Sequence, residues 1–145
     1  MEIYTIGFTQ KTAEQFFGLL NAHRIRRLID IRLNPTGQLS GFAKQADLAY
    51  FLRELCDGEY VHEPLLAPTK ELLDGYRARR YSWADYEVIF QQLMLDRRVT
   101  DELDRAVFEP RAVLLCSEPT ADRCHRRLVA EHLASSWPDV KIVHL

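Results

Sequence analysis

The order of apolar and polar positions divides the chain into short segments that switch between strand and helix periods. Ile3 to Ile6 read as a strand that ends at Gly7-Phe8-Thr9. From Thr12 to His23 the period becomes helical. Phe16, Leu19, Leu20 and His23 recur on one side, Thr12 is placed to cap, and Gln15 three residues on completes a capping box. The plain reading of that stripe is core packing. Leu28-Ile29-Asp30-Ile31-Arg32 reads as a second strand. It opens into Asn34-Pro35-Thr36-Gly37-Gln38-Leu39-Ser40-Gly41, a connection long enough to suggest a functional loop. A helix follows from about Lys44 to Cys56, with Leu48, Phe51, Leu52 and Leu55 on one face and Cys56 in line with them. Asp57-Gly58 ends it, Gly58 supplying the left-handed residue.

Glu59 to His62 is a short third strand, stopped by Glu63-Pro64. Residues 65–81 have weak patterning and carry Arg77, Arg79 and Arg80, which suits a flap or a solvated helix. Ser82 then caps a helix to about Asp96 whose buried side is Trp83, Tyr86, Phe90, Leu93 and Met94. Thr100-Asp101-Glu102 starts a further short helix, ended by Pro110. Val113-Leu114-Leu115 is a continuous apolar run, the mark of a strand covered on both faces, and it reaches Cys116. Pro119-Thr120 signals the start of a helix to about Ala134, and Val140 to His144 is the last strand. Strands alternating with helices predict a single α/β domain over residues 1–145. Its sheet is three-layer, mostly parallel and doubly wound, with helices on both faces. In such sheets ligands bind beyond the carboxyl ends of the strands. Gly7-Phe8-Thr9, Asp30-Ile31-Arg32 and Cys116-Ser117-Glu118 are then expected to converge.

Composition narrows the class. The 145 residues are 47% hydrophobic and 28% charged, ordinary for a globular chain, with a net charge of −2. That balance lacks the basic footprint of a general nucleic-acid binder, though local basic clusters leave nucleic acid as a weakly supported partner. No apolar run approaches a membrane span, and Met1 leads straight into a strand without a signal-peptide layout. The expectation is a cytoplasmic protein with reduced thiols. Its three cysteines do not make a disulfide framework.

The densest chemistry lies in residues 112–130, with two cysteines, a glutamate, a histidine and three arginines. Cys116, where a strand gives way to a helix N-terminus, is a candidate nucleophile or a small apolar residue finishing the strand. His125 is a candidate base or orienting group, or a tie to a backbone carbonyl. Glu118 is a candidate for proton transfer. Arg126, in the first turns of a helix, suits an anion, or an ion pair with Glu118 or Asp30. Asp30 and Arg32 sit in a strand buried on both faces and need partners or a pocket. Thr9, Tyr60 and His62 are further candidates for the pocket wall. Cys116, Cys124 and His125 also form a candidate metal cluster. Against it, seven residues lie between the two cysteines, and adjacent positions 124 and 125 on a helix point about 100° apart.

These residues resemble a known family, the bacterial and archaeal proteins called domain of unknown function 488. The resemblance is carried by Thr5-Ile6-Gly7, Asp30-Ile31-Arg32 with Pro35, and Phe42-Ala43-Lys44. It continues through Tyr60-Val61-His62-Glu63-Pro64 and Cys116-Ser117-Glu118 with Cys124-His125-Arg126. Phe8-Thr9 stands where members often have His-Ser, which removes an imidazole from the first loop. Leu66-Ala67 stands where a glycine is common. The resemblance implies an α/β fold and a shared pocket, and no reaction. The expected function is an enzyme acting on an anionic, phosphate-bearing or nucleotide-like ligand. Cys116, Glu118 and His125 would be catalytic; Thr9, Asp30, Arg32, Tyr60, His62 and Arg126 would bind the ligand; no cofactor is expected. The alternatives are a non-catalytic anion- or nucleic-acid-binding regulatory module, and a metal-binding protein using Cys116, Cys124 and His125.

Overall fold

The structure is a computed structural model that describes every residue except Pro119, and omits the side chains of Gln38 and Leu39. Its strands are β1 (Glu2–Gly7), β2 (Arg27–Asp30), β3 (Glu59–His62), β4 (Ala112–Cys116) and β5 (Lys141–His144). They form one sheet in the order β3-β2-β4-β1-β5, with every pair parallel. The helices are α1 (Ala13–Ala22), α2 (Gln45–Cys56), α3 (Lys70–Arg77), α4 (Trp83–Asp96), α5 (Val99–Glu102) and α6 (His125–Ser136). Successive strand residues face opposite sides. Ala112, Leu114 and Cys116 therefore enter one core with residues of α4 and α6, while Val113 and Leu115 enter the other with residues of α1 and α2. The result is the expected three-layer α/β sandwich. Each fully buried Leu or Ile in the two cores contributes about 1.5–3 kcal/mol.

The Thr12 capping box and the Ser82 cap stand as expected, and Ser82 proves to be part of a box as well. Thr12 and Gln15 close the start of α1, and Ser82 closes α4 with Asp85 as its partner. Several boundaries differ. The left-handed residue after α2 is Asp57 (φ 49°), not Gly58. Leu55 is exposed, because α2 buries the i, i+4, i+8 row of Leu48, Leu52 and Cys56. Residues 65–81 contain α3, which Thr69 caps and which buries Leu72. Thr100 lies inside α5, whose first turn follows Arg98.

The largest difference is α6. It begins at His125, five residues after the expected Thr120, and Cys124 is its N-cap in an extended conformation (φ −137°, ψ 139°). Pro119, expected to mark the helix start, lies outside the described residues. The Ser117 carbonyl accepts from the Thr9 backbone N–H (3.1 Å) and hydroxyl (2.6 Å), and the Glu118 carbonyl accepts from Arg126 Nη1 (2.5 Å). Those bonds hold the connection against β1 and delay the helix.

Candidate active site

A cavity of about 510 Å³ lies beyond the carboxyl ends of β1, β2 and β4. The three segments expected to converge all reach it, through Phe8 and Thr9, Arg32, and Cys116, Ser117 and Glu118. Chains leaving β1 and β4, which are neighbours, run to opposite faces of the sheet, and a crevice opens where neighbouring connections diverge.

Asp30 ends β2 and is fully buried. Its Oδ1 accepts from Arg32 N (3.1 Å) and Nε (2.8 Å), and its Oδ2 from Arg32 Nη2 (2.7 Å) and the Tyr60 hydroxyl (2.6 Å). Arg32 Nη2 also donates to the Ala43 carbonyl (2.7 Å), and the guanidinium lies over the Phe8 ring. This doubly hydrogen-bonded, charge-assisted pair answers what a charge in a buried strand requires. Burial first, then the bond to Asp30, raises the Tyr60 phenol well above its ordinary pKa. Arg32 Nη1 is buried, with no hydrogen-bond partner among the described residues.

Arg126 lies at the end of β4 with no solvent exposure. Its Nη1 meets Cys116 Sγ at 3.5 Å and the Glu118 carbonyl, while Nε and Nη2 have no partner among the described residues. Burial lowers its pKa to about 10, opposed by the charge of Glu118. Gly7 makes this approach possible. A Cβ there would overlap the Glu118 carbonyl oxygen and crowd Arg126 Nη1.

Cys124 and His125 come to the same place from the start of α6. The sulfurs of Cys116 and Cys124 are within bonding distance, where free thiols were expected, and Cys56 is the free cysteine. A ring nitrogen of His125 lies within 4.8 Å of both sulfurs. The objection that positions 124 and 125 diverge on a helix fails, because Cys124 is extended and lies outside the helical wheel. His125 Nε2 is 2.8 Å from the Ile31 carbonyl. A carbonyl only accepts, so Nε2 carries the hydrogen and Nδ1 keeps its lone pair. Burial pulls the His125 pKa down to about 4.

The family profile described as domain of unknown function DUF488 matches residues 12–133, most of the chain and all of the site except the first loop. The chain belongs to the DUF488 family. No curated protein and no solved structure matches the chain.

In this DUF488 chain the cavity is lined by Thr9, Arg32, Cys116, Glu118 and His125 from the candidate residues. Asp30, Tyr60, His62 and Arg126 do not line it. Asp30 and Tyr60 brace Arg32. His62 Nε2 donates to the Arg32 carbonyl (3.0 Å), and Arg126 contacts Cys116 from behind. Sequence reasoning missed the aromatic wall. Tyr76, Trp83 and Tyr86 line the cavity, and Trp83 and Tyr86 stack at 4.9 Å. Their helical spacing is that of core residues. The available signal was the chain of rings at 76, 83 and 86 beside a cluster of arginines, of which Arg77 reaches the cavity together with Arg123. No helix among the described residues is long and apolar enough to cross a membrane.

Proposed function

We propose that this protein is an enzyme whose cavity takes a small anionic ligand bearing a planar ring, of the nucleotide kind. The observation that carries this reading is Arg32. A buried guanidinium is held rigid by Asp30 and Ala43, lines the cavity, and keeps Nη1 without a partner among the described residues. An unpaired buried donor is costly, and a ligand oxygen would satisfy it. Arg77 and Arg123 add positive charge, while the half-buried Trp83 offers a stacking face, backed by Tyr86 and Phe90. Four guanidinium groups at or directly behind the cavity, Arg126 included, outnumber Asp30 and Glu118.

The reacting end is the sulfur–imidazole cluster with Glu118 beside it. His125 is a weak base, since burial holds its pKa near 4 and its Nε2 is bonded to Ile31. Glu118, exposed at the cavity, is the better proton carrier. The test is a thermal-stability screen of the protein with nucleoside phosphates, the matching nucleosides, and inorganic phosphate. Products of the binders are then sought by mass spectrometry. Nucleotides should raise the melting temperature more than nucleosides or phosphate. An Arg77→Ala/Arg123→Ala protein should weaken that response. No stabilisation by any phosphate-bearing compound would overturn the reading. Binding without turnover would leave a binding module in place of an enzyme.

A further inference from the structure

We propose that Cys116 Sγ, Cys124 Sγ and His125 Nδ1 are three protein ligands of one zinc-class ion, whose fourth position opens into the cavity. Three observations carry this. First, the two sulfurs meet and a His125 ring nitrogen lies within 4.8 Å of both, so that the reduced pair could part around an ion, and all three residues line the cavity. Second, the imidazole is already set for metal. Its Nε2–H donates to the Ile31 carbonyl, the orienting bond that metal-bound histidines characteristically make, and Nδ1 is left with its lone pair. Third, the backbone spacing suits a bridged pair. The Cα atoms of Cys116 and Cys124 are 7.4 Å apart. Disulfides ordinarily hold Cα atoms about 4.4–6.8 Å apart. Two thiolates about 2.3 Å from one tetrahedral ion have sulfurs about 3.8 Å apart, which the wider backbone spacing accommodates.

The surroundings agree. Arg126 is buried against Cys116 Sγ, and no carboxylate accepts a hydrogen bond from it among the described residues. Metal coordination fixes Cys116 as a thiolate, the anion that this cation otherwise lacks. Two thiolates and an imidazole select zinc or a similar borderline-soft divalent ion over magnesium or calcium. Three protein ligands with one open position are the pattern of catalytic rather than structural zinc. The inference deepens the enzyme reading by placing an ion at the reacting end of the same cavity. It assigns Cys116 to the ion rather than to covalent catalysis.

The experiment uses the full chain, purified anaerobically with reductant and stripped by chelator. Zinc is titrated in while bound metal, released protons and free thiols are counted, and cobalt is substituted for its spectrum. The expected result is one zinc per chain, release of up to about two protons from the thiols, and two thiols becoming protected. Cobalt should show the sulfur charge-transfer band and the intense visible bands of a tetrahedral site. Cys124→Ser and His125→Gln should each bind at least about 10-fold more weakly, and Cys56→Ser should bind as the parent does. Metal binding is decided on the parent protein, so a variant that misfolds changes nothing. The proposal is overturned if the reduced parent binds no stoichiometric zinc, or if cobalt bound to it lacks the sulfur band. Repeating the nucleotide screen on the stripped protein separates the two readings. Stabilisation there with no metal binding would sink the ion alone, and metal binding with no nucleotide response would sink the anionic-ligand reading alone.

Discussion

Two arginines are buried at the carboxyl ends of neighbouring strands, and they are supported in opposite ways. Arg32, beyond β2, is gripped by Asp30 through three hydrogen bonds, and Tyr60 donates to the same carboxylate. Arg126, beside the end of β4, has a sulfur and a backbone carbonyl. The first is a self-sufficient ion pair that stays rigid without ligand. The second is a cation with no carboxylate hydrogen-bonded to it among the described residues, and in the proposed metal site the Cys116 thiolate supplies its counter-charge. One arginine is built into a scaffold that leaves a buried N–H group to spare, whereas the other is set against the sulfur of its neighbour.

The comparison can be broken most sharply at Asp30. Asp30→Ala should cost about 3–5 kcal/mol, because it strands the Arg32 charge in the interior. Urea unfolding measures this, and a loss below about 1 kcal/mol would mean that the pair is not the anchor. Gly7→Ala strikes the other arginine. The new Cβ meets backbone at Glu118, which cannot swing aside, so a loss of about 3 kcal/mol is expected together with altered Cys116 reactivity. Unchanged stability would show that the β4 connection is not seated on Gly7.

A pH series on the chelated protein tests His125. Its folded pKa of about 4 lies below the unfolded value near 6.5, so the unfolded chain takes up the proton first. Stability is then full above pH 6.5 and falls by about 1–3 kcal/mol as pH drops toward 4. His125→Gln should flatten part of that slope, leaving the portion due to His132 and His144, whose pKa values are also lowered by burial. A slope identical in parent and variant would remove His125 from the account. The smallest effect is expected for Arg126→Met in stripped protein. Removing a buried cation that lacks a carboxylate partner relieves its desolvation, which offsets the lost bond to the Glu118 carbonyl, so stability should change by no more than about 1 kcal/mol. A loss as large as that of Asp30→Ala would erase the contrast between the two arginines.

Much of the fold was legible in the residues themselves. The continuous run Val113-Leu114-Leu115 marked a strand covered on both faces, and it proved central between β2 and β1. Thr12 with Gln15 and Ser82 opened helices because capping is a local hydrogen-bond pattern spanning four residues. The convergence of Gly7-Phe8-Thr9, Arg32 and Cys116-Ser117-Glu118 followed from the parallel topology alone. Other features depended on contacts between residues remote in sequence. Trp83 and Tyr86 have the spacing of core residues, and only the packing of α4 beside the β4 end turned them into a cavity wall. Cys124 left the helix because Thr9 and Arg126 bind the carbonyls of the preceding connection, and that extended residue is what brings it beside Cys116. Sequence by itself determined the elements, their order and the end of the sheet where chemistry gathers, since periodicity and capping act over a few residues. The tertiary structure alone decided which arginine has a carboxylate, which nitrogen of His125 is free, and which sulfurs meet. The last two depend on how separate elements pack, His125 and Ile31 being 94 residues apart; the Arg32 pair joins residues two positions apart, and Tyr60 and Ala43 from other elements fix its geometry.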